Sequence, residues 1–290
     1  MQEQRPGHVY LLVSENSQFV KIGGTEFPPL KRIREINLCE PYRSLGPWTL
    51  HDFRQVADWR KVESFLHYAF RGSLAAIDGA KELFAAAPHM VSQKLLEIEP
   101  EQLIGRPKID RMFNDAECAG YIERLFAFTG LLRWLDIQGA WTFVLFPGTS
   151  RGRYFTINIG PHEVAYTRLP QRHSRLPMHM VVMDRLIYDF PDARSWVDAH
   201  AGEFIDDKFA TALPRSVTIK FHSSFENARA FFRLDGVRRA LIAYWSEALL
   251  KLHEKGAQSV YARFHNWNAI AELRLRAARE QSGLFVDNPA

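Results

Sequence analysis

Two cysteines, Cys39 and Cys118, are all that a chain of 290 residues contains. They lie far apart in sequence, offer neither a disulfide framework nor a metal-binding spacing, and point to a reducing compartment. Long apolar runs are missing too. None approaches the roughly 18 residues of a membrane span, and the opening MQEQRPG lacks an apolar core of signal-peptide length. There is no internal repeat and no low-complexity tract. Charge of one sign does not dominate either: 37 Lys and Arg stand against 33 Asp and Glu, a net charge of +4. The resulting pI of about 9.1 permits a polyanionic partner without demanding one. What is present is 47% hydrophobic residues, enough for sizeable cores and against disorder. The expectation is a soluble cytoplasmic protein, not membrane-bound and long enough for two domains.

Alternation predicts strands at 8–13 (HVYLLV) and 19–22 (FVKI), joined by the polar loop SENSQ. The prolines of GGTEFPP can start a helix but not sit inside one, and Leu30, Ile33 and Ile36 then carry helical spacing. A third strand is expected at 48–56, a helix at 60–70, and a short helix at 80–88 ended by Pro88. The charged stretch 104–111 marks a domain boundary, giving domains at 1–104 and 112–290. The second domain reads as a helix at 115–135, strands at 141–146, 154–159, 163–169, 179–187 and 216–221, then mostly helix to about 280. The fold class is α+β throughout: a small three-stranded antiparallel sheet flanked by helices, then a mostly antiparallel sheet with a helical C-terminus.

The first domain gathers groups suited to phosphodiester chemistry, which needs an activated water and charge stabilisation at the phosphoryl oxygens. Tyr10 and Lys21 fall on consecutive strands, where the ammonium would favour a phenolate. Arg32 projects from the next helix and can clamp a phosphate. Glu63 can hold Mg²⁺ or Mn²⁺, and His67, four residues on, shares its helix face. Taken singly these residues have plainer readings. Tyr10 is a strand aromatic, Lys21 a solvated lysine, Arg32 a partner of Glu35 or Glu63, and Glu63 a surface helix residue.

The ordered series VY–KIGGT–P–R–EIN–VESFLH–AF–ELF over residues 8–84 resembles the GIY-YIG nuclease superfamily. It is closest to the branch with KIG in place of YIG, found in phage-type and fungal orphan proteins. The resemblance implies a three-stranded sheet with flanking helices. It makes Tyr10 the first-motif tyrosine, Arg32 the catalytic arginine and Glu63 the metal-binding glutamate. Glu82 and Phe84 match the branch's closing pair, and Glu82 competes with Glu63 for the metal. The departures are HVY for GIY and Lys21 where other members carry a second tyrosine.

In the second domain, Arg151, Arg153, Arg168, Arg172 and Arg175 stand against one acid, Glu163, within residues 151–175. With Tyr154 and Tyr166 they suggest a nucleic-acid-binding edge, the plainer reading being a solvated loop. Trp141, Phe143, Phe155 and Tyr166 fit a base pocket or, more simply, core. His162, His173 and His179 lack metal spacing. Arg274, Arg276 and Arg279 read as a solvated helix face. The expected function is a metal-dependent endonuclease acting on DNA, duplex by preference, in restriction or phage defence. The alternatives are a non-catalytic nucleic-acid binder and a regulatory protein-interaction domain. Oligomeric state is left open, a dimer included.

Overall fold

The computed structural model describes residues 4–134, 139–146, 152–170, 174–206, 215–256 and 259–283. It is α+β with two antiparallel sheets, and the chain divides into two compact units. The first comprises residues 1–106 with Trp267–Leu275, and the second 107–266 with 276–290. The stretch 104–111 is not an extended linker: most of it lies in helix α4 (Arg106–Asn114), whose Ile109 and Met112 are buried. Among the described residues, no helix is long and apolar enough to cross a membrane.

The first sheet has four strands, in the order β3 (Thr49–Val56), β1 (Gly7–Val13), β2 (Val20–Thr25), β4 (Leu83–Phe84). Helix α1 (Pro29–Ile36) carries Pro29 at its start, where the missing N–H costs nothing. Helix α2 (Trp59–Ala69) is capped by Asp58, whose side chain accepts from the Lys61 amide at 3.3 Å. Val9, Leu11 and Ile22 on one face of the sheet pack with Val62 and Leu66 of α2 and with Val91 and Leu95 of α3 (Pro88–Leu96).

Two expectations fail here for one reason. The three-stranded sheet gains β4, and the helix expected at 80–88 does not form. Leu83 and Phe84 are buried against β2, and this pairing overrides the helical propensity of AKELFAAAP. Pro88, read as a terminator, instead opens α3 at its first turn.

The second sheet runs β5 (Trp141–Leu145), β6 (Arg153–Ile159), β7 (His162–Arg168), β8 (Met178–Asp184), β10 (Ser216–His222), β9 (Glu203–Asp206). Helix α5 (Ala116–Thr129) is shorter than the expected 115–135, because Gly130 at φ 65° takes the left-handed conformation that ends it. The strand expected at 179–187 stops at Asp184, whose carboxylate accepts from the Leu186 amide at 2.8 Å and starts a 3₁₀ turn. Helices α6 (Pro191–Ala199), α7 (Phe225–Phe231), α8 (Val237–Lys255) and α9 (Trp267–Gly283) complete the described elements. Trp141, Phe143, Phe155 and Tyr166 are buried, so of the two readings of these aromatics the plainer one, core, holds. His179 is fully buried, bonded to Thr167 Oγ1 and to the Ser223 carbonyl at 3.0 Å each.

Candidate active site

In the antiparallel pairing of β1 with β2, Tyr10 stands opposite Gly23, and Leu12 opposite Lys21. Directly paired residues project to the same face, so Tyr10 and Lys21 share one. Gly23 is what lets the tyrosine lie down: a Cβ there would come within 2.6 Å of Tyr10 Oη and 2.8 Å of Cζ. Glu63 arrives from the other face, because α2 packs with Val9 and Leu11. A Cβ on Gly24 would stand 3.2 Å from Glu63 Oε1, and the carboxylate takes a hydrogen bond from the Gly24 amide. β4 pairs with β2 only at Val20 and Lys21. The Gly23–Gly24 end of β2 therefore carries no side chains and, on its edge away from β1, pairs with no strand. The groups meet around that bare edge rather than on a single face.

The charges are coupled there. Lys21 is 1% exposed and forms an ion pair with Glu82. Its ammonium also lies 4.5 Å from the centre of the Tyr42 ring. Burial pulls its pKa down, while the Glu82 carboxylate opposes that. Arg32 donates to Glu35 Oε2 at 2.9 Å and also reaches the Tyr10 phenol. Glu63 is held above the usual carboxylate range by burial, then by the charge of Glu82, with His67 and Lys21 opposing. His67 Nε2 lies 3.0 Å from the Ile22 carbonyl. A carbonyl only accepts, so Nε2 carries the proton. The Ile22 amide already donates to Glu82 O at 3.2 Å. His67 thus serves the carbonyl on the edge that β4 is too short to pair.

Tyr10, Lys21, Arg32, Glu63 and His67 are therefore brought together, with Glu82 among them. One electrostatic expectation is overturned. Lys21 does not favour a Tyr10 phenolate, because its ammonium is committed to Glu82. Burial and the Glu82 charge raise the Tyr10 pKa well above its ordinary value, against the opposing effect of Arg32. The phenol is neutral near pH 7.

Tyr42 escaped sequence reasoning. It sits in the loop between α1 and β3, which has no periodicity to read. Asn37 holds that loop, with Oδ1 accepting from the Trp48 amide at 2.7 Å and Nδ2 donating to the Trp48 carbonyl at 3.0 Å. The Trp48 indole in turn donates to the Tyr42 carbonyl at 2.7 Å.

The donor set bears on a metal. Glu63 and Glu82 offer hard oxygen ligands whose mutual repulsion a divalent cation would relieve. Among the described residues no group of three or more His, Cys, Asp or Glu is arranged to hold an ion. Such a pair fits a largely hydrated Mg²⁺, which needs few protein ligands, and does not fit a closed zinc centre. Glu82 is engaged with Lys21, leaving Glu63 the freer carboxylate.

Of the arginines expected to bind nucleic acid, the three that are described are not gathered in this way. Arg151 and Arg172 lie outside the described residues. Arg153 forms an ion pair with Glu163, donates to Thr156 Oγ1 at 3.0 Å and lies 4.3 Å from the Tyr166 ring centre. Arg168 pairs across the strands with Arg153 and is half-buried, and Arg175 is exposed. His173 also lies outside the described residues. Nor do Arg274 and Arg276 form a solvated face. Arg274 donates to the Leu50 carbonyl at 3.2 Å, and Arg276 bonds Glu123 at 3.1 Å and covers the Phe113 ring at 3.9 Å.

Residues 7–99 match the model of the T5orf172 domain. That family is associated with GIY-YIG-like and phage nuclease domains, which gives the first unit a nuclease-like or DNA-related association. The match runs from β1 to just past α3 and takes in every member of the cluster described above. No curated protein and no solved structure matches the chain.

Proposed function

We propose that the chain is a metal-dependent DNA endonuclease whose first unit cuts phosphodiester bonds and whose second unit engages the target. The observation that carries this reading is the convergence of Tyr10, Lys21, Arg32, Glu63 and Glu82 on the bare Gly23–Gly24 edge. The T5orf172 match over the same residues supports it. Glu63 would hold Mg²⁺ or Mn²⁺, with Glu82 beside it. The ion, when bound, supplies Lewis acidity to the phosphoryl oxygen and lowers the proton affinity of groups around it. Arg32 binds the phosphate, exchanging its exposed ion pair with Glu35 for one with the phosphoryl oxygens. Tyr10, its oxygen already accepting from Arg32, uses its own O–H to orient the attacking water. Lys21 anchors Glu82 through their ion pair, and His67 holds β2 in place through the Ile22 carbonyl. Restriction of foreign DNA in the cytoplasm is the setting we propose, on the family's association with phage nuclease domains.

A second reading, a nucleic-acid binder that does not cut, is favoured by the raised pKa of Tyr10, since a neutral phenol is a poor base. Incubation with modified and unmodified duplexes, with and without Mg²⁺, separates the two. Mg²⁺-dependent strand breaks support the nuclease. Retention of every duplex intact, with binding preserved, supports the binder.

A further inference from the structure

The second unit carries arginines of two kinds. Arg153, Arg185, Arg194, Arg215 and Arg276 each have a carboxylate partner. Around the start of α8 the pattern reverses. A cavity of about 970 Å³ is lined by Phe128, Phe190 and Phe232 with Arg233, Arg238 and Arg239, and Asp235 is the one acid in its wall. A second cavity of about 450 Å³ shares Phe128 and Arg238 with the first, adds Arg133 and Trp134, and has no acid. Arg133, Arg233, Arg238 and Arg239 are exposed, and none has a carboxylate partner among the described residues.

Phe128 organises this groove. The guanidinium of Arg124 lies 5.1 Å from its ring centre and that of Arg238 lies 5.5 Å from it. The edge of Phe232 fixes the ring from the side, at 5.9 Å and 75°. Stacking on an aromatic orients a guanidinium without neutralising it, so its N–H donors stay available. Four arginines against the single acid Asp235 repel one another, and an anion in the groove would relieve that repulsion. A single small anion would call for arginines that converge on one point. These are instead strung across two adjoining cavities, as successive phosphates of a strand require.

We propose that this groove, between the end of α5 and the first half of α8, binds the phosphodiester backbone of nucleic acid. The proposal rests on the nuclease reading only for the choice of polyanion. It also moves the expected interface away from residues 151–175, where Arg153 is occupied by Glu163.

The test uses the full chain, a labelled duplex and its single strand, and affinity measured across a salt series. For Arg238→Ala/Arg239→Ala the slope of log affinity against log salt should become shallower, by up to about 2 on duplex DNA. Arg238→Lys/Arg239→Lys should keep the wild-type slope, because lysine neutralises a phosphate as a point charge. An unchanged slope in the alanine variant overturns the proposal. So does a wild-type chain that binds poly-L-glutamate and neither nucleic acid, which would assign the groove to an acidic protein. Cleavage is read separately. Loss of salt-dependent binding in a chain that never cuts keeps the groove and removes the nuclease. Cutting that persists with an unaltered slope does the reverse.

Discussion

Charge is handled by opposite rules at two places, one in each unit. In the first, Lys21 and Arg54 are 1% and 2% exposed, and each is tied to a carboxylate, Glu82 and Asp52. In the second, Arg133, Arg233, Arg238 and Arg239 stand in solvent beside aromatic rings, with no carboxylate partner among the described residues. A buried cluster of mixed sign has fixed dipoles aimed before any substrate arrives, the condition for stabilising charge that develops during a reaction. An exposed cluster of one sign aims at nothing in particular and attracts any polyanion, increasingly so as salt falls. On the proposed reading, the contrast separates a place for chemistry from a place for capture.

The largest break in that contrast should come from a residue with no charge. Gly23→Val puts side-chain atoms where the Tyr10 ring lies. Overpacking of this kind costs about 1–3 kcal/mol, and displacing Tyr10 should abolish cleavage while the second unit keeps its salt-dependent binding. Thermal melts and binding isotherms on one preparation would check this. Normal cutting would remove Tyr10 from the chemistry. Next is Glu82→Gln, which leaves the Lys21 ammonium buried without its counter-charge. A loss of roughly 1–3 kcal/mol in denaturant unfolding is expected, with Mg²⁺ dependence retained through Glu63. An unaltered midpoint would mean that the pair adds nothing to stability.

Much of the first unit was legible because alternation and loop chemistry coincide there. HVYLLV, FVKI and WTLHDFRQV all became strands, and Tyr10, Lys21, Arg32 and Glu63 fell in the expected order on the expected elements. What was not legible depended on tertiary structure. β4 exists through its pairing with β2 and the Lys21–Glu82 ion pair, and a two-residue strand has no periodicity. The direction of the Tyr10 pKa shift is set first by its burial and then by the Glu82 charge, and spacing carries neither. Tyr42 lies in a loop, and β9 is a four-residue edge strand. Arg153 looked free because its partner Glu163 is ten positions away, on the next strand of a hairpin.

Acid should reveal a smaller effect, placed in the second unit by His179. Burial lowers its pKa from 6.5 to about 3. The folded form holds it neutral while the unfolded chain protonates it below 6.5. Stability is therefore full above that pH and falls steadily as the pH drops toward 3. At pH 5 the loss should reach roughly 2 kcal/mol. His179→Gln, which cannot titrate, should flatten this part of the profile in calorimetry. An identical slope in the variant would assign the acid sensitivity elsewhere. Burial lowers His8 of the first unit to about 4, giving a second, narrower window of the same sign.

The smallest effect is expected from Arg153→Ala. It removes a half-buried ion pair with Glu163 and should cost about 1 kcal/mol. The salt dependence of DNA binding should stay as it was, in contrast to the groove variants. A shallower slope would return residues 151–175 to the interface.

The central claim is that the Gly23–Gly24 edge is a metal-assisted cutting site, and Glu63→Gln tests it most directly. The substitution keeps the side chain's size and its hydrogen-bonding oxygen while removing the charge. Mn²⁺ binding followed by electron paramagnetic resonance and single-turnover cleavage of a duplex would be measured together on wild type and variant. The prediction is loss of the bound ion and a fall in cleavage of at least about 10²-fold, with melting temperature and duplex affinity preserved. Undiminished Mn²⁺ binding with wild-type cleavage would contradict the account.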